Sequence, residues 1–535
     1  MTRSDAVVVG AGHNGLVAAI LLAKAGWSVT VVERADEPGG AVRTAEVTLP
    51  GFKHDLYATN LNLFVGSPFF AEYGQELAAH GFAAAGTDKP FGSLFPGGGF
   101  LGVSTDAAAT LERIRAVSAA DAESWQRLGA WFGKVAPTLF GVLGSPLPSA
   151  AALRALWSER GAVREEWAEL ARVVLQSPRE FAEENFSDPR MQALVGSWGM
   201  HLDFGPDVPG GATFPLLETC ASAQNGMALG AGGARTMIDA LVSLLRSLGA
   251  ELRTGAEVEE ILVSGGRATG VALAGGERIE AARAVVANVT PTVLFGGLVR
   301  EEALDPEFLR KARRYRYGPG TLMLHLALDE LPDWNAGPEP REWCYLHIGP
   351  YLDDMGLAYA QASAGLLPER PTLVVGQPTA VDPSRAPEGK HILWVQVRVV
   401  PGRIRGDAAR EIEATDWDEV KDPYAERVLD LLSEHAPSLR DHVLGKYVMS
   451  PVDLERANPN LVGGDQVAGS HHPAQHYIFR PIPGWSRYTT PIDALYMCGA
   501  GTWPGAGVGA GSGFLLGKQL TRERKLPSLR RARRA

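Results

Sequence analysis

The chain has 535 residues, 45% of them hydrophobic and 21% charged, which is the composition of a water-soluble globular protein with material for one very large domain or two to three ordinary ones. A net charge of −10 argues against bulk nucleic-acid binding, and no stretch is long and apolar enough to span a bilayer. Three scattered cysteines (Cys220, Cys344 and Cys498) argue against a disulfide framework or a redox-active dithiol and point to a reducing compartment. The short N-terminal apolar run shows no secretory signal, so a cytoplasmic location is expected.

Ala6–Val9 is apolar and β-branched and predicts a buried strand. Gly10, Gly12 and Gly15 follow as G-x-G-x-x-G, Leu16–Ala25 predicts a helix, and Ser28–Val32 a second strand ending in Glu33. Strand, glycine turn and helix N-terminus together suit a pyrophosphate, because the helix start offers free N–H groups and a positive dipole end. Glu33 falls about twenty residues on, where a carboxylate hydrogen-bonds a ribose hydroxyl. Gly39 and Gly40 allow close approach of backbone to a ligand, and Arg43 can neutralise a phosphate.

Phe95–Val103 predicts a hairpin and Thr105–Val117 an amphipathic helix. Ser124–Gly141 and Ala150–Val173 carry apolar residues at helical spacing, which predicts a helical subdomain whose apolar face is core. Residues 226–290 return to α/β character, with strands at Glu251–Arg253, Val258–Val263, Ala268–Leu273 and Ala284–Ala287, the last followed by Asn288. Thr321–Leu328, Thr372–Val375, His391–Val400 and Lys446–Met449 predict a second, sheet-based domain, with His391–Val400 alternating in part as a half-buried strand does. A strand at Ala494–Cys498, the glycine-dense segment 499–513 and a helix over Ser512–Leu520 end the folded part. Thr521–Ala535 carries seven basic residues against Glu523 alone. Such a tail is either solvated or touches anionic lipid, at about 1 kcal/mol per basic residue.

Three separated blocks carry a resemblance: 7–44, 232–261 and 480–513. Together they resemble the FAD-binding parts of the phytoene desaturase-like flavoproteins of the amine-oxidase superfamily. The Gly12-His13-Asn14-Gly15-Leu16 spelling is especially similar to the branch of pyridine nucleotide-disulphide oxidoreductase domain-containing proteins. The resemblance implies an α/β fold with a glutathione-reductase-type (Rossmann-like) FAD-binding domain built from discontinuous segments, a mixed-sheet substrate domain and a helical subdomain. The expected division is 1–60, 226–295 and 485–520 for FAD, 61–225 for the helical part, 296–484 for the substrate sheet and 521–535 for the basic tail.

By the same resemblance, Gly10, Gly12 and Gly15 cradle the pyrophosphate and Glu33, with Arg34 beside it, holds the adenosine ribose. Gly40, Arg43 and Thr44 lie along the pyrophosphate and ribityl chain, Val258 meets the adenine, and Gly499, Gly507 and Val508 reach the flavin. One departure stands out. Many relatives read Thr-His-Pro-Gly-Gly where this chain has Thr502-Trp503-Pro504-Gly505-Ala506. Trp503 therefore either stacks beside the flavin or packs the turn.

The implied activity is hydride transfer from a largely apolar, isoprenoid- or lipid-like small molecule to flavin N5. An amine or amino-acid oxidase, a flavin-dependent isomerase, and a non-catalytic flavoprotein that binds a partner or membrane are the alternatives. No second dinucleotide fingerprint is visible, so oxygen, a quinone or another acceptor is expected to reoxidise the flavin. The polar stretch 469–481 supplies candidate catalytic groups, His472, His476 and Tyr477, alongside Trp503. Pro473 lies between His472 and His476 and no acid accompanies them, so no metal site is expected. His54 and Asp55 follow the first cofactor block and are placed near the route to substrate or, for Asp55, in a turn. Trp198 and His201 are candidates to line the pocket from the helical side.

Overall fold

The computed structural model describes residues 2–158 and 166–522. Strand β1 (Thr2–Val9) runs through the middle of a seven-stranded sheet. Ala6, Val7 and Val8 expose no surface, as expected of a strand covered on both faces. β1 pairs in parallel with β2 (Val29–Val32) and with strand Arg278–Ala287. Glu251–Arg253 extends the parallel set beyond β2, and Leu495–Met497 pairs with the end of Arg278–Ala287. The hairpin Val258–Ser264 and Arg267–Leu273 joins antiparallel to the start of Arg278–Ala287. Three segments far apart in the chain therefore build one sheet.

Helix α1 (His13–Lys24) covers this sheet and is buried from Asn14 to Leu22. It packs against helices Arg235–Ser247 and Gly511–Arg522. The last helix comes close because its contact face is glycine. A Cβ at Gly513 would collide with the Asn14 backbone, and one at Gly517 would lie 2.6 Å from Leu21 Cδ1.

A second seven-stranded sheet runs in the order Val443–Met449, Gly320–Leu328, His391–Val400, Thr372–Gly376, Tyr345–Ile348, Phe91–Phe95, Gly99–Val103. Its pairs are antiparallel except Tyr345–Ile348 with Phe91–Phe95. The expected half-buried alternation of His391–Val400 is not what the fold gives, since residues 392–400 are all buried. Leu393, Val395 and Val397 pack with helix Trp417–His435 on one face, while Trp394 and Val399 face the helical layer on the other. That layer includes Ala107–Val117, Ala119–Leu143, Pro178–Asn185, Pro189–Gly196 and Thr213–Asn225. The helix expected over Ala150–Val173 is found as Ala150–Ser158 and Glu166–Leu175, with 159–165 outside the described residues. Of the basic tail, 523–535 also lies outside them. Among the described residues, no helix is long and apolar enough to cross a membrane.

A buried ion pair locks the two sheets together. Asp55 Oδ1 accepts from Thr44 Oγ1 at 2.6 Å and from the Ala234 N–H at 2.8 Å, and Oδ2 accepts from Thr59 Oγ1 and Arg385 Nη1, both at 2.6 Å. Arg385 also donates to the Gly230 carbonyl at 2.7 Å. Both ion-pair partners are fully buried, so Asp55 is a structural hub between the start of helix Arg235–Ser247 and the approach to strand His391–Val400. His54 stacks edge-on against His325 beneath it, with ring centroids 5.3 Å apart.

Candidate active site

One cavity of about 440 Å³ runs from the end of β1 into the second sheet. Its first half is backbone. Gly10 has φ +92°, and a side chain at Gly15 would run into the Gly10 carbonyl oxygen. A Cβ at Gly12 would lie 2.9 Å from Asn288 Nδ2. Asn288 sits where strand Arg278–Ala287 ends, and its Nδ2 donates to the Gly10 carbonyl at 3.3 Å. The N-cap of α1 is Gly12, which brings no capping side chain, so the first-turn N–H groups are left for an anion. Glu33, at the end of β2, accepts from the Ala11 and Ala35 N–H groups at 2.8 and 2.9 Å, which fixes its carboxylate on the cavity wall.

Opposite these, Gly40 has φ +60° and its Cβ position lies 3.5 Å from Gly12 Cα, so the two glycine backbones sit in direct contact on the cavity wall. Arg43 Nε is buried without a hydrogen-bond partner, 3.7 Å from Glu37, and Arg43 faces the cavity. An orphaned guanidinium N–H beside an uncapped helix start is the donor set a pyrophosphate requires. Arg34 and Val258 line the wall near Glu33, and Gly499, Gly507 and Val508 line it at the C-terminal loop. The Gly499 N–H donates to Ser512 Oγ at 3.0 Å, tying that loop to the last helix. His13 lies on the same wall, and burial lowers its pKa to about 4, so it is neutral at pH 7. The residues present thus fit an extended dinucleotide.

The second half of the cavity is side chain. Trp198, His201, Phe214, Glu218, Tyr345 and Trp394 stand around it, and Gln396 and Arg398 project from the same strand as Trp394. Tyr345 and Trp394 stack with centroids 5.6 Å apart and planes 4° from parallel. Trp394 Nε1 donates to the Tyr57 carbonyl at 3.1 Å, which locks the indole. His201 Nε2 meets His347 Nε2 at 2.8 Å, and burial holds the His201 pKa well below the ordinary value, with the neighbouring His347 and Arg398 adding to it. One ring therefore donates and the other accepts, both uncharged. Arg398 donates to the carbonyls of Met200, His201 and Leu202, which pins the turn that carries Trp198.

Most of the cofactor residues expected from sequence come together on this cavity. Gly15 stands behind the wall and holds α1 against the Gly10 turn. Thr44 is also off the wall, because its hydroxyl is used by Asp55 and by the Arg235 N–H at 3.1 Å. The four catalytic candidates are not among the lining residues. His472 Nε2 bonds the Asp203 carbonyl at 2.9 Å and faces a separate cavity of about 360 Å³. His476 packs between His471 and Trp503, at centroid distances of 5.1 and 5.3 Å. Trp503 is buried, packs at a tilt against Tyr477 and His476, and donates Nε1 to the Ser145 carbonyl at 2.9 Å. Tyr477 packs its ring against His476 and Trp503, at centroid distances of 4.7 and 5.9 Å.

This polar stretch acts from outside the cavity. His471 Nε2 accepts from the Ala506 N–H at 2.9 Å, and Arg480 donates to the Ala500 carbonyl at 2.6 Å, so both brace the loop that lines the C-terminal end. Trp198 and His201 do line the cavity, as expected. The sequence reading missed Asn288, Glu218, Tyr345, Trp394 and Arg398. Only Glu218 had a visible signal, as the one acid in the helix Thr213–Asn225.

A family model described as flavin containing amine oxidoreductase matches residues 15–502. The chain belongs to that family. It is an FAD-dependent oxidoreductase, and the glycine-lined half of the cavity is where FAD fits. The flavoenzyme is 30% identical to rat (Rattus norvegicus) pyridine nucleotide-disulfide oxidoreductase domain-containing protein 2, over 95% of this chain and 92% of that protein. It is 27% identical to a limonene dehydrogenase polypeptide of Castellaniella defragrans, over 97% of this chain and 95% of that protein. A solved oxidoreductase from Methanosarcina mazei shares the fold, with TM-score 0.60, 19% identity, and coverage of 97% of this chain and 100% of that one.

Proposed function

We propose that the flavoenzyme dehydrogenates an apolar, isoprenoid- or lipid-like molecule by hydride transfer from a substrate C–H bond to FAD. The observation that carries this reading is the aromatic wall of Trp198, Phe214, Tyr345 and Trp394 at the end of the cavity away from Glu33. Such a wall offers large, rigid apolar faces and few hydrogen-bond partners, which suits a hydrocarbon. Limonene, the compound in the name of one relative, is a molecule of this class. When bound, FAD supplies a hydride acceptor at N5.

The chain's own residues do the rest. Gly10, Gly12, Glu33, Gly40 and Arg43 hold the dinucleotide, and Gly499, Gly507 and Val508 shape the flavin end. The stacked Tyr345 and Trp394 hold the substrate and exclude water, so orientation contributes most of the rate. The test is an anaerobic titration of the FAD-loaded protein, watched by flavin absorbance, with limonene, polyenes in detergent, fatty acyl compounds, amines and NADPH. Bleaching by a hydrocarbon or acyl compound is expected. Bleaching by amines alone would replace this reading with an amine oxidase, and sustained turnover on NADPH would contradict it.

A further inference from the structure

Glu218 stands out in a chamber otherwise suited to hydrocarbon. Helix Thr213–Asn225 buries Pro215, Leu216, Thr219 and Cys220 in the protein and turns Phe214 and Glu218, four residues apart on one face, toward the cavity. Among the described residues the half-buried Glu218 has neither a hydrogen bond nor an ion pair, although a carboxylate partly withdrawn from water without a partner is costly. The other carboxylates on the cavity wall, Glu33, Glu37 and Glu257, lie on the FAD-binding segments. Of these Glu33 is held by backbone N–H groups, and Glu37 pairs with Arg235 at 3.0 Å. Among the described residues Glu218 is therefore the one carboxyl group on the substrate side of the wall.

The titratable groups facing that end come from each neighbouring element: His201 from the turn Ser197–His201, Tyr345 and Arg398 from the second sheet, and Tyr57 from the segment after Asp55. His201 is held neutral, Tyr345 is held protonated by burial, and Tyr57 is raised by burial too. Arg398 spends its donors on three backbone carbonyls. None of these is free to take a proton at pH 7.

We propose that Glu218 is the proton acceptor of the dehydrogenation. As a hydride leaves one substrate carbon for the flavin, the Glu218 carboxylate takes a proton from the adjacent carbon, and the electron pair of that C–H bond becomes the C=C bond. Two hydrogens leave the substrate, one as hydride and one as proton, and the two electrons reside on the flavin until an external acceptor removes them. This role rests on the dehydrogenase reading above. Burial raises the Glu218 pKa to about 7, which places its basicity near the working pH.

Two measurements on the FAD-loaded protein test it. The first needs no substrate: infrared difference spectra across a pH titration of wild type and Glu218→Gln. A carboxyl group titrating near pH 7 that vanishes in Glu218→Gln is expected, and no such group in wild type would overturn the proposal. The second is stopped-flow flavin reduction by limonene and by phytoene in detergent. Glu218→Gln is expected to slow the limiting rate by about 10²–10⁴-fold with half-saturation unchanged, and Glu218→Asp to recover part of it. The wild-type rate is expected to rise with pH through about 7 and level off, a rise absent in Glu218→Gln. A raised half-saturation with an unchanged limiting rate would make Glu218 a binding anchor and overturn the proposal. If wild type itself is bleached by amines and by neither hydrocarbon, the dehydrogenase reading falls first and takes this role with it.

Discussion

The glycine-lined trough, where we propose that FAD binds, and the chamber beyond it are two halves of one cavity, built by different means. In the trough, contacts come from backbone at Gly10, Gly12, Gly40 and Gly499, and what matters is that side chains are missing. In the chamber, contacts come from side chains delivered by separate elements: Trp198 and His201 from a 3-10 turn, Phe214 and Glu218 from a helix, Tyr345 from one strand and Trp394 from another. A backbone site needs conformations only glycine adopts easily, so it leaves a spelling in the sequence. A side-chain site needs only that distant residues meet, so it leaves almost none.

Acid is expected to have the largest effect, and it acts mainly on groups outside the trough. Burial lowers the pKa of His13 and His54 to about 4 and of His347 and His476 to about 3, and it also depresses His201, His325 and His471. All but His13 lie outside the glycine trough. Each is neutral in the folded protein but protonates near 6.5 when unfolded, so the unfolded state binds more protons below that pH. Stability is therefore full above about 6.5 and falls as pH drops toward 4, by about 1.4 kcal/mol per pH unit for each such histidine. Urea midpoints measured across that window should fall steeply, and His54→Gln should flatten the slope. An unchanged slope would place the acid-labile groups elsewhere.

Breaking the joint between the halves comes next. Asp55→Ala leaves buried Arg385 with only the longer ionic contact to Asp382, at 3.4 Å, and is expected to cost about 3–5 kcal/mol, read as a lower urea midpoint. An effect under about 1 kcal/mol would mean the pair is solvated. Within the trough, Gly15→Ala drives a methyl group into the Gly10 carbonyl, at about 1–3 kcal/mol, and should appear as weakened FAD retention on gel filtration. Full retention would show that α1 can shift. The smallest effect is expected at His472, which is partly exposed and faces a different cavity. His472→Ala should change stability by less than about 1 kcal/mol and leave flavin reduction intact, whereas a lost reductive half-reaction would return it to the site.

The same contrast explains what was legible in the sequence. Strand, glycine turn, helix and Glu33 could be read because they are contiguous, and residues 499–508 because glycine is dense there. His472, His476, Tyr477 and Trp503 drew attention as polar or aromatic groups next to that loop in sequence. The fold uses His471 and Arg480 from the same stretch to brace the loop from behind, and sequence proximity does not distinguish the two faces of a turn. Strand His391–Val400 looked half-buried because Gln396 and Arg398 break its apolar run. Both residues are buried, Gln396 toward the cavity and Arg398 against backbone carbonyls, so a polar letter marked the site and not the solvent.

The most direct measurement is a crystal structure of the FAD-loaded protein with limonene bound. The isoalloxazine is expected against the loop of Gly499, Gly507 and Val508, with the hydrocarbon between it and the stacked Tyr345 and Trp394. A hydrocarbon bound away from those rings, or a flavin lying beside them with no room for a second molecule, would contradict the division of the cavity into cofactor and substrate halves.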